Sequence, residues 1–199
     1  MDKPRCQFKL RCWAVACPYW TPRRCRLSKK KLNNTTWVAW ADSVPFQSKT
    51  EDGRFIGPFN PILFSPAISS SFLDFQETEQ KDTSLSQRVR QVVILAVGAV
   101  WKANYELYAH SAAARKADIS EDAIRTLATD GLPGDLSDEE KIAQRYARQL
   151  SAEHHVDAAL FSAAERAFGH RGLVEIAYLT GAYHTVCALL NAFEIPAPR

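Results

Sequence analysis

The chain has 199 residues, of which 46% are hydrophobic and 24% are charged, proportions that are ordinary for a soluble globular protein of one domain plus an appendage. Its net charge of +3 is unevenly distributed, because residues 1–31 contain ten Lys and Arg and a single Asp, whereas residues 32–199 contain 15 basic and 21 acidic side chains. The body of the protein is acidic, which leaves only the basic N-terminal segment as a candidate for binding nucleic acid.

Cysteine is concentrated in the same basic segment. No apolar run there is long enough for the core of a signal peptide, so a disulfide framework is not supported. An Arg-rich, acid-poor start is also typical of a transit peptide or a nucleic-acid-binding arm, but the scattered cysteines and prolines fit neither. We interpret residues 1–52 as a poorly ordered extension, natural or created by the choice of translation start, and expect the folded domain over residues 53–196. The four cysteines of this segment match none of the common zinc spacings: Cys6, Cys12, Cys17 and Cys25.

The first two helices have clear start signals. Pro66 suits the first position of a helix that has Ser65 as its cap. Ser84 and Gln87 have the spacing of a capping box and predict the start of the second helix. Residues 92–101 are apolar on nearly every face, so this second helix is expected at the centre of the core.

The rest of the chain is also helical in pattern. The pattern of the second helix continues to Lys116, with a break expected near residues 102–104. No alternating strand pattern and no internal repeat of solenoid length is present. The sequence therefore predicts an all-α domain of about six or seven helices. Its later helices are predicted after Ser120, after the capping box Ser137-Asp-Glu-Glu140, over residues 156–168 and over residues 173–193, with Gly169 and Gly172 between the last two.

Two apolar stretches resemble membrane spans only superficially. Residues 92–101 are too few to cross a bilayer, and residues 176–193 include Thr, Gly, His and Asn. We interpret both as buried helices and expect a soluble, cytoplasmic protein that has no contact with membranes. The helix over residues 173–193 carries more apolar surface than a small monomer readily covers, which predicts an obligate homo-oligomer.

The strongest chemical signal is a carboxylate and an imidazole four residues apart, Glu106 and His110. Residues at i and i+4 share one face of a helix, so the two side chains are expected to touch. A carboxylate orients an imidazole and favours its protonated form, which makes such a pair a compact proton-transfer unit. Most pairs of this kind only stabilise a helix, so the spacing alone does not assign a function.

Several motifs in the right order are similar to those of the carboxymuconolactone decarboxylase family, which also includes the alkylhydroperoxidase D-like enzymes. The similarity covers residues 53–196 and implies an all-helical, oligomeric protein. The motifs are Gly57-Pro58-Phe59-Asn60-Pro61, Arg88-x-x-x-Val92-Val93-Ile94-Leu95, Tyr105-Glu106-x-x-x-His110 with Ala114-Arg115-Lys116-Ala117, Gly172-Leu173-Val174-Glu175 and Leu189-Leu190-Asn191-Ala192-Phe193.

The resemblance also separates two chemistries. Peroxidatic members of the family carry Cys-x-x-Cys followed four residues later by His, and this register places Ala103 and Glu106 at the two cysteine positions. Peroxide reduction needs a thiolate and a resolving thiol, so the chain resembles the decarboxylase-like branch. A further departure is Gln91, which stands where many members have a Glu of the proton relay, and an amide exchanges no proton near neutral pH.

The resemblance implies a role for each candidate residue. His110 is expected to donate a proton, and Glu106 is expected to orient its ring. Tyr105, Tyr108 and Gln91 are expected to bind substrate. His184 is a further candidate for the same cavity, although a lone His on an apolar helix is more often a core residue.

The resulting expectation is a cofactor-free lyase or isomerase that acts on a small carboxylated lactone or keto acid in the degradation of aromatic compounds. No metal site is expected, because His110, His184 and the carboxylates lack a local ligand spacing. No nucleic-acid partner is expected either, since no binding fold is recognisable. The alternatives are the peroxiredoxin activity of the family's other branch and a catalytically inactive member that serves as a binding or scaffold protein.

Overall fold

The computed structural model describes residues 44–198, and within this range the protein is built from α-helices. The all-α prediction is confirmed, since the described residues form one isolated antiparallel bridge, Lys49 to Phe55, and no strand. Two short 3₁₀ turns, Gly57–Phe59 and Pro61–Phe64, precede the helices. The helices are α1 Pro66–Asp82, α2 Gln87–Trp101, α3 Asn104–Lys116, α4 Glu121–Ala128, α5 Asp138–Glu153 and α6 Ala158–Ala192.

Helix α2 occupies the centre of the domain, as its sequence predicts. Every residue from Val89 to Ala99 is buried, and the helix packs against α3, α4, α5 and α6. The apolar side chains on its different faces enter separate parts of the core, with Val93 packing toward α5 and α6 and Val92 toward α4. A helix with neighbours on all sides has no solvated face, which is why its sequence is apolar around the whole circumference.

Two of the four predicted serine caps are confirmed. Ser120 and Ser137 each accept a hydrogen bond from a backbone N–H three residues ahead, and Ser137 with Glu140 forms the full capping box. Ser65 precedes α1 as predicted, but its side chain makes no capping hydrogen bond.

The predicted capping box at Ser84 is wrong. Ser86 caps α2 by accepting from the backbone N–H of Val89, at 3.2 Å. Ser84 is engaged instead by a carboxylate of α6, because its backbone N–H and its hydroxyl both donate to Glu175. A contact with a distant helix therefore decides which serine caps α2.

Two breaks in the helices fall where the sequence places them. Lys102 has a left-handed backbone, with φ of 52°, and ends α2. Ala103 then has an extended backbone at the start of α3, so that Glu106 lies in the first turn of α3. Gly169, with φ of 65° and ψ of 177°, interrupts α6 between the two predicted helices. Its conformation is one that side chains other than glycine rarely adopt.

Residues 1–43 lie outside the described part of the chain, so the prediction of a poorly ordered extension over residues 1–52 stays untested there. Residues 44–52 are described and contact the domain. The backbone N–H of Ile56 donates to the carbonyl of Ser48, at 2.9 Å, which closes a loop around the predicted boundary. The last part of the extension is therefore joined to the helical domain by hydrogen bonds.

The second half of α6 and one face of α1 leave large apolar side chains in solvent. Ile68, Val174 and Tyr178 are 73%, 51% and 58% exposed, and the ring of Phe75 lies 5.9 Å from that of Tyr178 in an edge-to-face arrangement. Self-association through these side chains stays a prediction. Size-exclusion chromatography with light scattering tests it, and a monomer mass at micromolar concentration would contradict it.

One helix in the described part of the chain, Ala158–Ala192, is long and apolar enough to cross a membrane by length and composition alone, and 44% of its most apolar window is buried inside the protein. A core helix of a soluble protein passes the same test, so this finding is weak evidence for a span. The predicted cytoplasmic location stays a prediction.

Candidate functional site

A cavity of about 140 Å³ lies between α1, α2, α3 and α6. Residues 44–56, which precede the first 3₁₀ turn and are called the covering segment, close one side of it. Apolar and aromatic side chains form most of its wall, among them Phe46, Phe59, Phe72 and Tyr183. A small set of polar groups interrupts this wall, and such a combination is typical of sites for small organic molecules. The polar groups include Gln91, Arg90, Glu106 and His110.

The structure brings Glu106 and His110 together in this cavity. Oε1 of Glu106 lies 3.0 Å from Nε2 of His110, and the two side chains are 4% and 13% exposed. The contact is close, but its angles are not those of a hydrogen bond, so Oε1 has the imidazole as its ion-pair partner and no hydrogen-bond donor among the described residues. The first turn of α3 is a favourable place for a buried carboxylate because the exposed N–H groups of the helix point toward it.

Gln91 completes a chain of three side chains. Its Oε1 lies 2.8 Å from Nδ1 of His110. An amide oxygen only accepts hydrogen bonds, so with this orientation of the amide Nδ1 carries a hydrogen. In a neutral imidazole Nε2 then carries no hydrogen where it faces the Glu106 carboxylate. In an imidazolium both ring nitrogens carry a hydrogen. We call Glu106 and His110 the proton-sharing pair, because a proton bound to either group lies within reach of the other.

Aromatic rings surround the imidazole and limit its access to water. The ring of Tyr183 meets that of His110 edge to face at 5.0 Å, and the ring of Phe46 lies 6.4 Å away. Burial raises the pKa of the Tyr183 hydroxyl, and the Glu106 carboxylate adds to that rise. Tyr183 is consequently protonated throughout the physiological range and cannot supply an anion to the site.

The two predicted tyrosines secure the segment that covers the cavity. The hydroxyl of Tyr105 donates to the carbonyl of Gln47 at 2.7 Å, and the backbone N–H of Gln47 donates to the hydroxyl of Tyr108 at 3.3 Å. Tyr105 lines the cavity, and burial raises the pKa of its hydroxyl. Tyr108 does not line the cavity, because its hydroxyl is turned toward the covering segment.

His184 is not part of this constellation. Its Nε2 lies 2.8 Å from Oγ of Ser151 on α5, and its ring lies 5.8 Å from that of Trp101. Burial lowers the pKa of His184, with a smaller contribution from His154. The predicted placement of His184 in the substrate cavity is not what the structure shows, because its position on α6 turns it toward α5.

The sequence analysis missed Arg90. This residue is 5% exposed, lines the cavity and forms a buried ion pair with Glu79 of α1. A signal was present, since Gln87, Arg90 and Gln91 are polar residues at helical spacing beside an otherwise apolar run. Polar side chains that recur on one face of a central helix indicate a polar cavity at that face.

The thiol chemistry of the peroxidatic branch has no counterpart in the described part of the chain. Ala103 and Glu106 occupy the cysteine positions, and Cys187 is fully buried without a second cysteine among residues 44–198. Burial raises the pKa of the Cys187 thiol, and the Glu106 carboxylate raises it further, so the thiolate is disfavoured. The described residues contain no group of three or more His, Cys, Asp or Glu side chains that would hold a metal ion.

Comparisons with known proteins agree with this architecture. Residues 66–149 match the carboxymuconolactone decarboxylase family. No curated protein matches the sequence.

Two solved structures share the fold. A protein of unknown function from Agrobacterium tumefaciens, described as a putative antioxidant defence protein AhpD, superposes with a TM-score of 0.64 at 15% identity and covers 70% of this chain and 97% of its own. An uncharacterized peroxidase-related protein from Silicibacter sp. TM1040 superposes with a TM-score of 0.62 at 19% identity, over 68% of this chain and 72% of its own. At these identities the likeness is one of fold. The family match over residues 66–149 and the shared fold agree in placing the similarity of this chain with the carboxymuconolactone decarboxylase and AhpD-like proteins.

Proposed function

We propose that the protein is a cofactor-free enzyme that acts on a small carboxylated lactone or keto acid, as a lyase that removes its carboxylate or as an isomerase that moves its double bond. The observation that carries the proposal is the 3.0 Å contact between the Glu106 carboxylate and the His110 imidazole inside a cavity walled by aromatic rings. Such a cavity suits a molecule the size of a substituted lactone ring, and the pair provides the proton that the reaction needs.

The chemistry requires one bond to break and one proton to be added. The carbon–carboxylate bond breaks and CO₂ leaves, while the electron pair of that bond moves into the conjugated carbonyl system of the substrate. A proton from His110 then reaches the carbon on which the charge is localised, and the pair regains a proton from water. Burial strengthens the electrostatic interactions of the pair with the developing charge, because the surroundings have a low dielectric constant.

Both ring nitrogens of His110 have partners, so a substrate must displace one of them. The neutral amide of Gln91 is the weaker of the two partners, since the charge of the Glu106 carboxylate attracts a protonated imidazole more strongly than an amide dipole does. We therefore expect the substrate to approach from the Gln91 side. In this scheme Gln91 orients the ring before binding and takes no part in proton exchange.

Turnover of a panel of unsaturated lactone acids and β-keto acids tests the proposal, followed by CO₂ release and by loss of ultraviolet absorbance. His110→Ala is expected to abolish turnover with its helical content intact, and Glu106→Gln is expected to lower it about 10²-fold to 10⁴-fold. The matched control is His184→Ala, which removes a partly buried imidazole outside the cavity and is expected to retain activity. Full activity of His110→Ala, or no turnover of the panel by the wild type, would contradict the proposal.

The peroxiredoxin alternative rests on the names of the structural neighbours, which are described as antioxidant and peroxidase-related proteins. It requires thiol-dependent consumption of hydrogen peroxide, and the missing Cys-x-x-Cys motif argues against it. An inactive scaffold would bind ligands without turning any of them over. The same panel, assayed with and without peroxide and dithiothreitol, separates the three functions.

A further inference from the structure

We propose that Arg90 binds the carboxylate of the ligand and thereby selects carboxylates over neutral molecules of the same shape for this cavity. The inference rests on the proposed function for the identity of the reaction, because it names the group that would hold the carboxylate before CO₂ leaves. Binding of a carboxylate at Arg90 can nevertheless be measured without any turnover.

The guanidinium of Arg90 is buried but incompletely paired. Nη1 donates to Oε1 of Glu79, and this is the hydrogen bond that Arg90 makes within the described part of the chain. Nε is buried and has no acceptor there. A buried N–H group without an acceptor is unfavourable, so an oxygen atom of a bound molecule that accepts from it is correspondingly favoured.

Arg88, on the same helix, differs from Arg90 because each of its three guanidinium nitrogens has an acceptor. Its Nε donates to Oε1 of Glu140 at 2.6 Å, its Nη2 donates to the other carboxylate oxygen at 3.3 Å, and its Nη1 donates to the carbonyls of Ala117 and Asp118. Arg88 does not line the cavity and ties α2 to α5 and to the end of α3. Arg90 lies two residues further along, lines the cavity and keeps a free donor.

The guanidinium of Arg90 suits a carboxylate in charge and in shape. It bonds to the Glu79 carboxylate through Nη1, which leaves the N–H of Nε for a second carboxylate. The planar fork of a guanidinium also matches the two oxygen atoms of a carboxylate.

Arg90 is close enough to the proton-sharing pair to act on the same molecule. It follows Gln87 by three residues on α2 and adjoins Gln91, whose amide touches His110. Charges on both Arg90 and Glu106 act on the hydroxyl of Tyr183, whose ring packs against that of His110. A ligand held at Arg90 therefore shares the cavity with the imidazole of His110.

Isothermal titration calorimetry with benzoate and benzamide tests the inference, because the two probes have nearly the same shape and differ in charge. The wild type is expected to bind benzoate about tenfold or more tightly than benzamide. Arg90→Gln is expected to lose this preference. The matched control Arg88→Gln removes the other arginine of the same helix and is expected to keep the preference, with circular dichroism confirming that each variant is folded.

A second variant keeps the inference testable if Arg90→Gln does not fold. Arg90→Lys retains the charge but lacks the fork, so it is expected to bind benzoate about tenfold more weakly than the wild type and still to prefer it over benzamide. Equal binding of the two probes by the wild type, or an undiminished preference in a folded Arg90→Gln protein, would overturn the inference and assign Arg90 a structural role.

The result is independent of the proposed reaction. His110→Ala is expected to bind benzoate with the wild-type preference, since its change leaves Arg90 and Glu79 in place. Absence of turnover together with a preference for benzoate would contradict the decarboxylation and support the role of Arg90. Turnover together with equal binding of benzoate and benzamide would support the decarboxylation and contradict the role of Arg90.

Discussion

Gly57 is the position at which a single methyl group should do most harm to the covering segment. Its backbone has φ of +65°, and a Cβ built there would lie 2.2 to 2.5 Å from Cζ, Cε1 and the hydroxyl oxygen of Tyr105. Tyr105 is 1% exposed, packs edge to face against Phe46 at 6.3 Å and donates to the carbonyl of Gln47. The ring cannot avoid the methyl group without breaking these contacts.

Three costs add up in Gly57→Ala. A left-handed backbone costs a residue other than glycine about 1 to 2 kcal/mol. Overpacking a filled site costs about 1 to 3 kcal/mol. Loss of the Tyr105 to Gln47 hydrogen bond costs about 0.5 to 1.5 kcal/mol. We expect Gly57→Ala to lower the free energy of unfolding by about 4 kcal/mol, a large part of the stability of a domain of this size.

Gly53→Ala is the matched control. Gly53 has φ of +79°, and a Cβ at this position would meet no atom within 4 Å, so only the backbone cost of about 1 to 2 kcal/mol applies. Both variants restrict the unfolded chain in the same way, and this effect cancels between them. Urea unfolding followed by circular dichroism is expected to place the midpoint of Gly57→Ala about 1 M or more below that of Gly53→Ala. Equal midpoints would refute the close packing of Gly57 against Tyr105.

Two further predictions concern ionisable groups, one partly buried and one fully buried. Burial opposes ionisation of Glu175, but hydrogen bonds from Ser84 and Arg171 outweigh it and lower the pKa of the carboxyl, so its stabilising contribution is present near neutral pH and is lost as the pH falls through this lowered pKa. Glu175→Gln is expected to cost about 1 to 2 kcal/mol at pH 7, and a difference from the wild type that does not shrink below about pH 4 would contradict this reasoning. Cys187 is expected to resist iodoacetamide at pH 8 until the protein is unfolded, because burial raises the pKa of its thiol. Peptide-resolved mass spectrometry measures this, and alkylation of the native protein at the rate of a free cysteine would disprove it.

The caps of the helices show how far local sequence carries. Ser120 and Ser137 bond to N–H groups three residues away, and such contacts require no information from the rest of the chain. Ser84 and Ser86 both precede the apolar run of α2. The choice between them as cap depends on Glu175, which lies 91 residues from Ser84 and accepts a hydrogen bond from it. The local pattern was correct about the helix and wrong about its cap for this reason.

The candidate site divides in the same way. Glu106 and His110 meet because four residues on a helix bring side chains to one face, and the sequence alone is sufficient to predict this contact. Gln91 is 19 residues from His110, and the family resemblance pointed to it as part of the site while spacing alone did not. The surroundings of Arg90 and His184 depend on how the helices pack. Arg90 of α2 lines the cavity, whereas His184 of α6 contacts Ser151.

Local sequence was enough to predict the helices, their breaks at Lys102 and Gly169 and the contact between Glu106 and His110. It also shows that Ala103 and Glu106 stand at the two cysteine positions of the peroxidatic motif. These features depend on periodicity and on contacts within one or two turns, where chain connectivity fixes the geometry. Which polar residues face the cavity, and what covers it, followed only from the packing of the helices. Contacts such as that of Gln47 with Tyr105, 58 residues apart, depend on how the helices pack, and packing depends on the fit of all the buried side chains at once.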